Sequence, residues 1–373
     1  MCTVLSRIQS GFRPQDHGLP DDFLLTKLTQ MKGCGCKVPR EILLKLLDDL
    51  RTDGKGDEIG IGLDSCVVPL RHKNLFLIQT TDFFYPLVDD PYLMGRITCA
   101  NVLSDLYAMG VVDCDNMLIL LGVPRDISDK ERDVVVSNFF SGFKSAAIEA
   151  ETTIRGGQTV RCPWLLLGGV ATSVCTSNEM AVINAARPGD VILLTKPLGG
   201  QVAVNSYDWL KKKDPRVEEL KLDKEKIVAA YQQVVEQMCR LNRNAARMLL
   251  KYSSHASTDV TGFGILGHAD NLAKAQKAEV RFVIHTLPII DYMAEISKLM
   301  GNGFNLFSGT SAETSGGLLI VIEKEKAQLL LTELQQIEGF PAWLIGDVIC
   351  GPRGAVIDND VKIISVPSSI NQL

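Results

Sequence analysis

No stretch of eighteen consecutive apolar residues occurs in this chain, so no membrane-spanning helix is expected. The N-terminus lacks the apolar core of a secretory signal, and a cytoplasmic location is the expectation. Clustered positive charge is also missing. The formal charge is −5, and Lys211-Lys212-Lys213 is the only basic run, which a solvated helix end explains. That argues against a nucleic-acid or anionic-membrane surface. None of the ten cysteines forms a CxxC pair, which excludes common zinc-site spacings. There is no GxxxxGK[ST] phosphate loop. Gly262, Gly264 and Gly267 make one GxGxxG. Polar residues precede it and no acidic residue follows at the required distance, so it does not read as a dinucleotide site.

What is present begins with Lys32-Gly33-Cys34-Gly35-Cys36-Lys37. Glycine gives backbone freedom. A thiol beside lysines is expected to have a lowered pKa, and the thiolate is the nucleophile. Lysine is a point charge suited to phosphate. The segment reads as a loop bringing a soft nucleophile to a phosphate; taken alone, a surface loop with two incidental cysteines is the commoner case.

The rest of the chain alternates strands and helices, and its length predicts two or three domains. Residues 1–22 look irregular, broken by Gly11, Pro14, Gly18 and Pro20. Residues 41–50 read as a short amphipathic helix and 51–58 as a polar loop. Strands are expected at 74–81, 113–123 and 164–174, and helices at 91–109 and 128–150, the latter with a Ser128/Glu131 capping box. A turn at 186–189 is a plausible junction. Beyond it come strands at 190–195, 280–284, 318–322 and 342–349. A long helical pattern covers 223–251, and further helices are expected through about 274 and over 324–336.

Asp64, Asp82, Asp105 and Asp259 stand at strand ends or beside glycine or threonine. Asn101 and Asp105, at i and i+4, share a helix face. Carboxylates of this kind suit Mg²⁺ with substrate phosphates. Any one of them alone is as readily a turn or helix-end residue. Gly156-Gly157-Gln158-Thr159 reads as a tight turn or a phosphate cradle. His268 is read as a packed residue, Cys66, Cys99 and Cys175 as core thiols, and Phe83 to Tyr85 as core residues of a domain or dimer.

Together these stretches resemble the selenophosphate synthetase (selenide, water dikinase) family over about residues 25–348. The resemblance rests on KGCGCK at 32–37, IGLDSCVVPL at 61–70, TTDFFYPLVDDPYLMGRI at 80–97, ANVLSDLYAMG at 100–110, GGQT at 156–159, LTKPLG at 194–199, TDVTGFGILGH at 258–268 and TSGGLL at 314–319. The thiol loop is the most specific, because the wider superfamily of aminoimidazole ribonucleotide synthetase and thiamine-monophosphate kinase lacks it. The resemblance implies an α/β and α+β two-domain fold. In it residues 1–50 are a mobile segment carrying the loop, 51–185 an ATP/Mg-binding α/β domain that forms a shared barrel across a homodimer, and 186–373 an α+β domain. It places the reactive position on Cys34 and the catalytic lysine on Lys37. It places ATP contacts on Lys37, Ile61, Gly62, Leu63, Asp82, Asp105, Gly156, Gly157 and Gln158, and metal ligands on Asp64, Asp105 and Asp259. The implied reaction, that of a phosphotransferase with paired acceptors, converts ATP, selenide and water to selenophosphate, AMP and phosphate. Mg²⁺ is the implied cofactor; a K⁺ requirement and a selenium-delivery protein are left open. Cys34 can hold selenium as Cys–S–Se⁻ or assist transfer directly. Two rivals are an ATP-dependent enzyme of the same superfold with another substrate, and a non-catalytic regulator of selenium use.

Overall fold

The computed structural model describes residues 2–48 and 63–368. The polar loop expected at 51–58, and with it Ile61 and Gly62, lies outside the described residues. Helices α1 (Cys2–Ser10) and α2 (Arg40–Asp48) precede a first sheet. Its strands are β1 (Cys66–Pro69), β2 (Phe76–Phe84), β3 (Asn116–Pro124), β4 (Ile154–Cys162) and β5 (Leu166–Cys175), with α3 (Pro91–Ala108) between β2 and β3 and α4 (Asp129–Glu149) between β3 and β4. The strand order is β1-β2-β5-β3-β4, antiparallel except for the β3/β4 pair.

The second half runs β6 (Asp190–Leu194), α5 (Gly200–Lys212), α6 (Arg216–Glu219), α7 (Lys224–Cys239), α8 (Arg243–Lys251), β7 (Ala256–Asp259), α9 (Gly264–Lys274), β8 (Val280–Ile290), α10 (Met293–Leu299), β9 (Leu318–Glu323), α11 (Lys324–Glu338), β10 (Trp343–Cys350) and β11 (Gly354–Val366). Its sheet has the order β11-β8-β10-β6-β9-β7. Strand alternation serves two cores. Val191 and Leu193 pack with Met248, Leu249 and Leu330, while Ile192 and Leu194 join the main core on the other face. No helix among the described residues is long and apolar enough to cross a membrane.

Helix α3 ties the two halves together. Asp90 caps it by accepting from Tyr92 N and Leu93 N, and Pro91 occupies the first turn. Of its eighteen residues only Asp105 is not buried. The helix lies against α4, β2 and β5 of the first half and α7, α8 and β7 of the second. It meets α4 at glycines. A Cβ at Gly95 would come 2.1 Å from Phe139 O, and one at Gly142 1.8 Å from Tyr92 O.

Four local expectations are corrected. The first residues are helical and docked rather than irregular. Val4 and Ile8 are buried, and Arg7 donates to both Asp90 oxygens at 3.0 and 2.9 Å. The 223–251 pattern is two helices, because the chain turns at Arg240. Lys196 Nζ donates to Arg240 O at 2.8 Å, and Asn242 Nδ2 to Ser104 Oγ and Gly316 O. Asp82 lies inside β2, not at its end. Gly156-Gly157-Gln158 is not a turn but the exposed edge strand β4, where Gly157 permits close pairing: a Cβ there would lie 2.0 Å from Ile119 O.

A Gly142→Ala variant forces α3 and α4 apart. Overpacking of this kind costs about 1–3 kcal/mol, so urea denaturation should show a lowered midpoint; an unchanged midpoint would refute the close crossing.

Candidate active site

The thiol loop is held on both sides. Gly33 N donates to Tyr85 O at 3.0 Å, just past β2, and Cys34 N donates to Thr314 Oγ1 at 3.2 Å in the second half. Gly33 has φ +54°, and a Cβ there would stand 2.9 Å from Thr314 Oγ1, so both conformation and space require glycine. A Cβ on Gly262 would lie 2.4 Å from Cys34 O. Cys36 closes the loop on itself. Its Sγ donates to Lys32 O at 3.0 Å and accepts from Lys32 N at 3.1 Å.

Beneath the loop is an acidic cavity of about 250 Å³, lined among others by Lys37, Leu63, Asp64, Asp82, Asp105 and Asp259. The carboxylates come from different elements: Asp64 just before β1, Asp82 within β2, Asp105 on α3 and Asp259 at the end of β7. Each has a polar holder. Thr80 Oγ1 donates to Asp105 at 2.5 Å, Asn101 Nδ2 to Asp82 at 2.5 Å and Thr258 Oγ1 to Asp64 at 2.8 Å, while Ser104 bonds Asp259. Asp259 Oδ2 is buried with no partner. Donor atoms of Asp64, Asp259 and His268 lie within 4.8 Å of one another.

All four carboxyl pKa values are raised. Burial is the main cause in each. Asp259 adds to the rise of Asp64 and Asp105, while Lys37 and Asn101 oppose that of Asp82. Asp259 is pushed up to about 6 by burial, with Ser104 opposing and Asp82 adding. Burial works against the charge on Lys37, yet Asp82, Cys34, Asp105 and Asp259 outweigh it and hold its ammonium above the usual lysine range. Lys37 is exposed along much of its length while its side chain lines the cavity. The arrangement calls for added positive charge, and hard oxygen donors favour a divalent cation.

Cys34 differs from the sequence expectation. Its thiol is raised, not lowered, by burial first and by Asp82 and Asp259, against Lys37 and Thr314. Its Sγ faces Asn101 Oδ1 at 3.6 Å, and that oxygen also accepts from Ser315 N at 2.7 Å. The geometry holds a thiol donor rather than a thiolate. Burial, with Asp82 and Asp259 adding to it, reverses what the two lysines of the loop predict.

His268 is buried and neutral, with a pKa pushed down to about 3 by burial, Lys37 and Arg40. Its Nε2 is 3.2 Å from Thr261 Oγ1 and accepts from Phe263 N at 3.4 Å, the packed role expected for it. Cys99 and Cys175 are buried, but Cys66 is exposed on a short edge strand, contrary to its reading as a core thiol. Phe84 is buried and Phe83 exposed.

Gly156 and Gln158 do not join the acidic cavity within one chain. By register they share a face of the first sheet with Leu118, Val170 and Leu77, opposite the face of Thr80 and Asp82. Thr80, Ser104, Thr258 and Thr314 are the supporting residues that sequence reasoning did not assign, whereas Asn101 was paired with Asp105 on one helix face. Their signal was their place inside the quoted motifs. The 313–316 segment is pinned from behind. Lys196 Nζ donates to Ser315 O at 2.9 Å, and Glu313 accepts from Gly199 N at 2.7 Å and Gly200 N at 3.0 Å.

Residues 62–175 match the family model for the N-terminal domain of AIR synthase related proteins, and 187–359 that for the C-terminal domain. A Caenorhabditis elegans protein named probable selenide, water dikinase is 60% identical over 98% of this chain and 99% of its own. The chain belongs to the selenide, water dikinase family. Human selenide, water dikinase 2 is 49% identical over 95% of this chain and 87% of its own, and the Trypanosoma brucei brucei enzyme 44% over 96% and 94%. Among solved structures, thiamine monophosphate kinase from Aquifex aeolicus has a TM-score of 0.60 at 18% identity, covering 88% of this chain and 98% of its own. A HypE–HypF complex chain has 0.62 at 17%, covering 86% and 96%. These two show the shared fold.

Burial raises Glu313 to about 8 from an ordinary 4.5, against its bonds to Gly199 and Gly200. Between those values the folded chain keeps a proton that the unfolded chain releases, so the stability this group contributes is full below about 4.5 and is lost as pH rises through about 8. Thermal melts of Glu313→Gln should therefore show a flatter pH dependence than the parent across that window. Parallel profiles would refute it.

Proposed function

We propose that this chain catalyses the conversion of ATP, selenide and water to selenophosphate, AMP and phosphate, supplying the selenium donor for selenocysteine synthesis. The observation that carries this reading is Cys34 and Lys37 held beside a cavity of four aspartates. The AIR synthase-like fold alone fits other ATP-dependent substrates; the thiol loop favours selenium.

The donor set fits Mg²⁺. Its oxygens are hard, they raise one another's pKa, and Asp259 Oδ2 stands buried and unpaired. Asp64, Asp105 and Asp259 are the proposed ligands, with Asp82 facing Lys37. A bound divalent ion supplies charge neutralisation to the triphosphate. The rest is done by the chain. Lys37, kept protonated by the carboxylates, presents its ammonium to phosphoryl oxygens. Asn101 orients Asp82 and holds the Cys34 thiol. The docked loop shields the cavity from bulk water. Phosphoryl transfer needs chiefly this positioning and charge balance. K⁺ and a delivery protein stay expectations of the family resemblance.

The open face of the first sheet supports a homodimer. Val68, Phe83, Val160 and Val174 are 44–59% exposed there, and an apolar sheet face of this kind marks an interaction surface. Joining two such faces would set Gly156 and Gln158 of one chain against the other, which accounts for their distance from their own cavity. Phe83→Asp should shift the protein from dimer to monomer in analytical ultracentrifugation; a parent that sediments as a monomer would refute the dimer.

Phosphorus NMR with ATP, Mg²⁺ and anaerobic selenide tests the reaction. Selenophosphate, AMP and phosphate should grow in step, and Cys34→Ser and Lys37→Ala should each lose about 10²-fold or more in rate, the scale of one lost charge-stabilising group. Conversion of ATP to ADP would favour a kinase with another substrate, and no consumption would favour a non-catalytic homologue.

A further inference from the structure

A second cavity, of about 360 Å³, lies on the other side of the thiol loop. Gly33, Gly35 and Cys36 form one of its walls, while Lys37 faces the acidic cavity. The loop is thus a partition, with Cys34 between two chambers of opposite character. The acidic chamber repels anions until cations fill it. In the second chamber the one charged side chain among the described lining residues is Lys32. Lys32 shares Asp208 with Lys212, at 2.5 and 2.9 Å, so the trio carries a net positive charge. Met31, Met238, Phe304 and Cys36 supply a polarisable lining, the surroundings that suit a soft ligand.

We infer that this second cavity is the receiving chamber for hydroselenide, with Lys32 as its counter-charge and Cys36 as its soft contact at the partition. Hydroselenide is a monoanion at neutral pH, large and weakly hydrated, and would reach the loop from this side while the nucleotide and its cations occupy the other. The inference rests on the proposed reaction and assigns its second substrate a separate approach.

The test combines two readouts on the full chain. Crystals soaked anaerobically with sodium hydroselenide are measured for anomalous scattering at the selenium edge. Steady-state selenophosphate synthesis is then compared for the parent, Lys32→Glu and the cavity-filling Val204→Phe. We expect selenium density between Lys32 and Cys36, absent in Lys32→Glu. KM for selenide should rise about tenfold or more in both variants, with KM for ATP within about twofold, which also shows that both variants fold. Selenium density confined to the acidic cavity, or an unchanged KM for selenide, would overturn the chamber. Density in the chamber without selenophosphate formation would uphold it as an anion site and overturn the proposed reaction instead.

Discussion

Four carboxylates forced into one small cavity are the constraint on which the rest of this protein depends. Burial raises every one of their pKa values, and repulsion between carboxylates adds to the rise of Asp64, Asp105 and Asp259. A fold that keeps them together must hold each in place with a separate donor and must offer a cation. Thr80, Asn101, Ser104 and Thr258 are those donors, and Lys37 and Arg40 bring positive charge into the cavity lining. Burial, with the same field adding to it, keeps Cys34 a thiol. Positive charge arriving with the substrate therefore changes the lysine and the thiol as well as the aspartates.

Helix α3 makes this possible. It is buried on all sides, so its position is set by both halves at once. From it Asn101 reaches across to Asp82, Cys34 and Ser315. One side chain thereby joins the first sheet, the thiol loop and the second half. The pinned 313–316 segment completes the frame, since Thr314 and Ser315 are the points at which the second half touches the loop and α3. The loop then divides the space into an acidic side and a side with one net positive charge.

Periodicity showed most of the strands and helices, because in this chain buried faces follow the usual periods of two and 3.6. It failed where polar contacts overrule the pattern. At Arg240 the helix breaks because Lys196 and Asn242 claim the backbone and side-chain partners nearby. At Gly156 and Gly157 a strand forms because β3 offers a parallel partner that a glycine can approach. At residues 2–10 a helix forms because Arg7 finds Asp90, eighty-three residues away. None of these partners is visible in a local window.

The residue types by themselves determined the chemistry on offer: hard carboxylates, a glycine-spaced thiol and lysines beside it. Their motifs determined the family. Tertiary structure alone decided which of them meet. It brought Asp64, Asp82, Asp105 and Asp259 around Lys37 and set Gly156 to Gln158 apart on an open face. It also reversed the expected thiol pKa by burying Cys34 and placing it beside Asp82. The physical reason is that ionisation follows burial and nearby charge in space, and sequence neighbours account for only a small part of either.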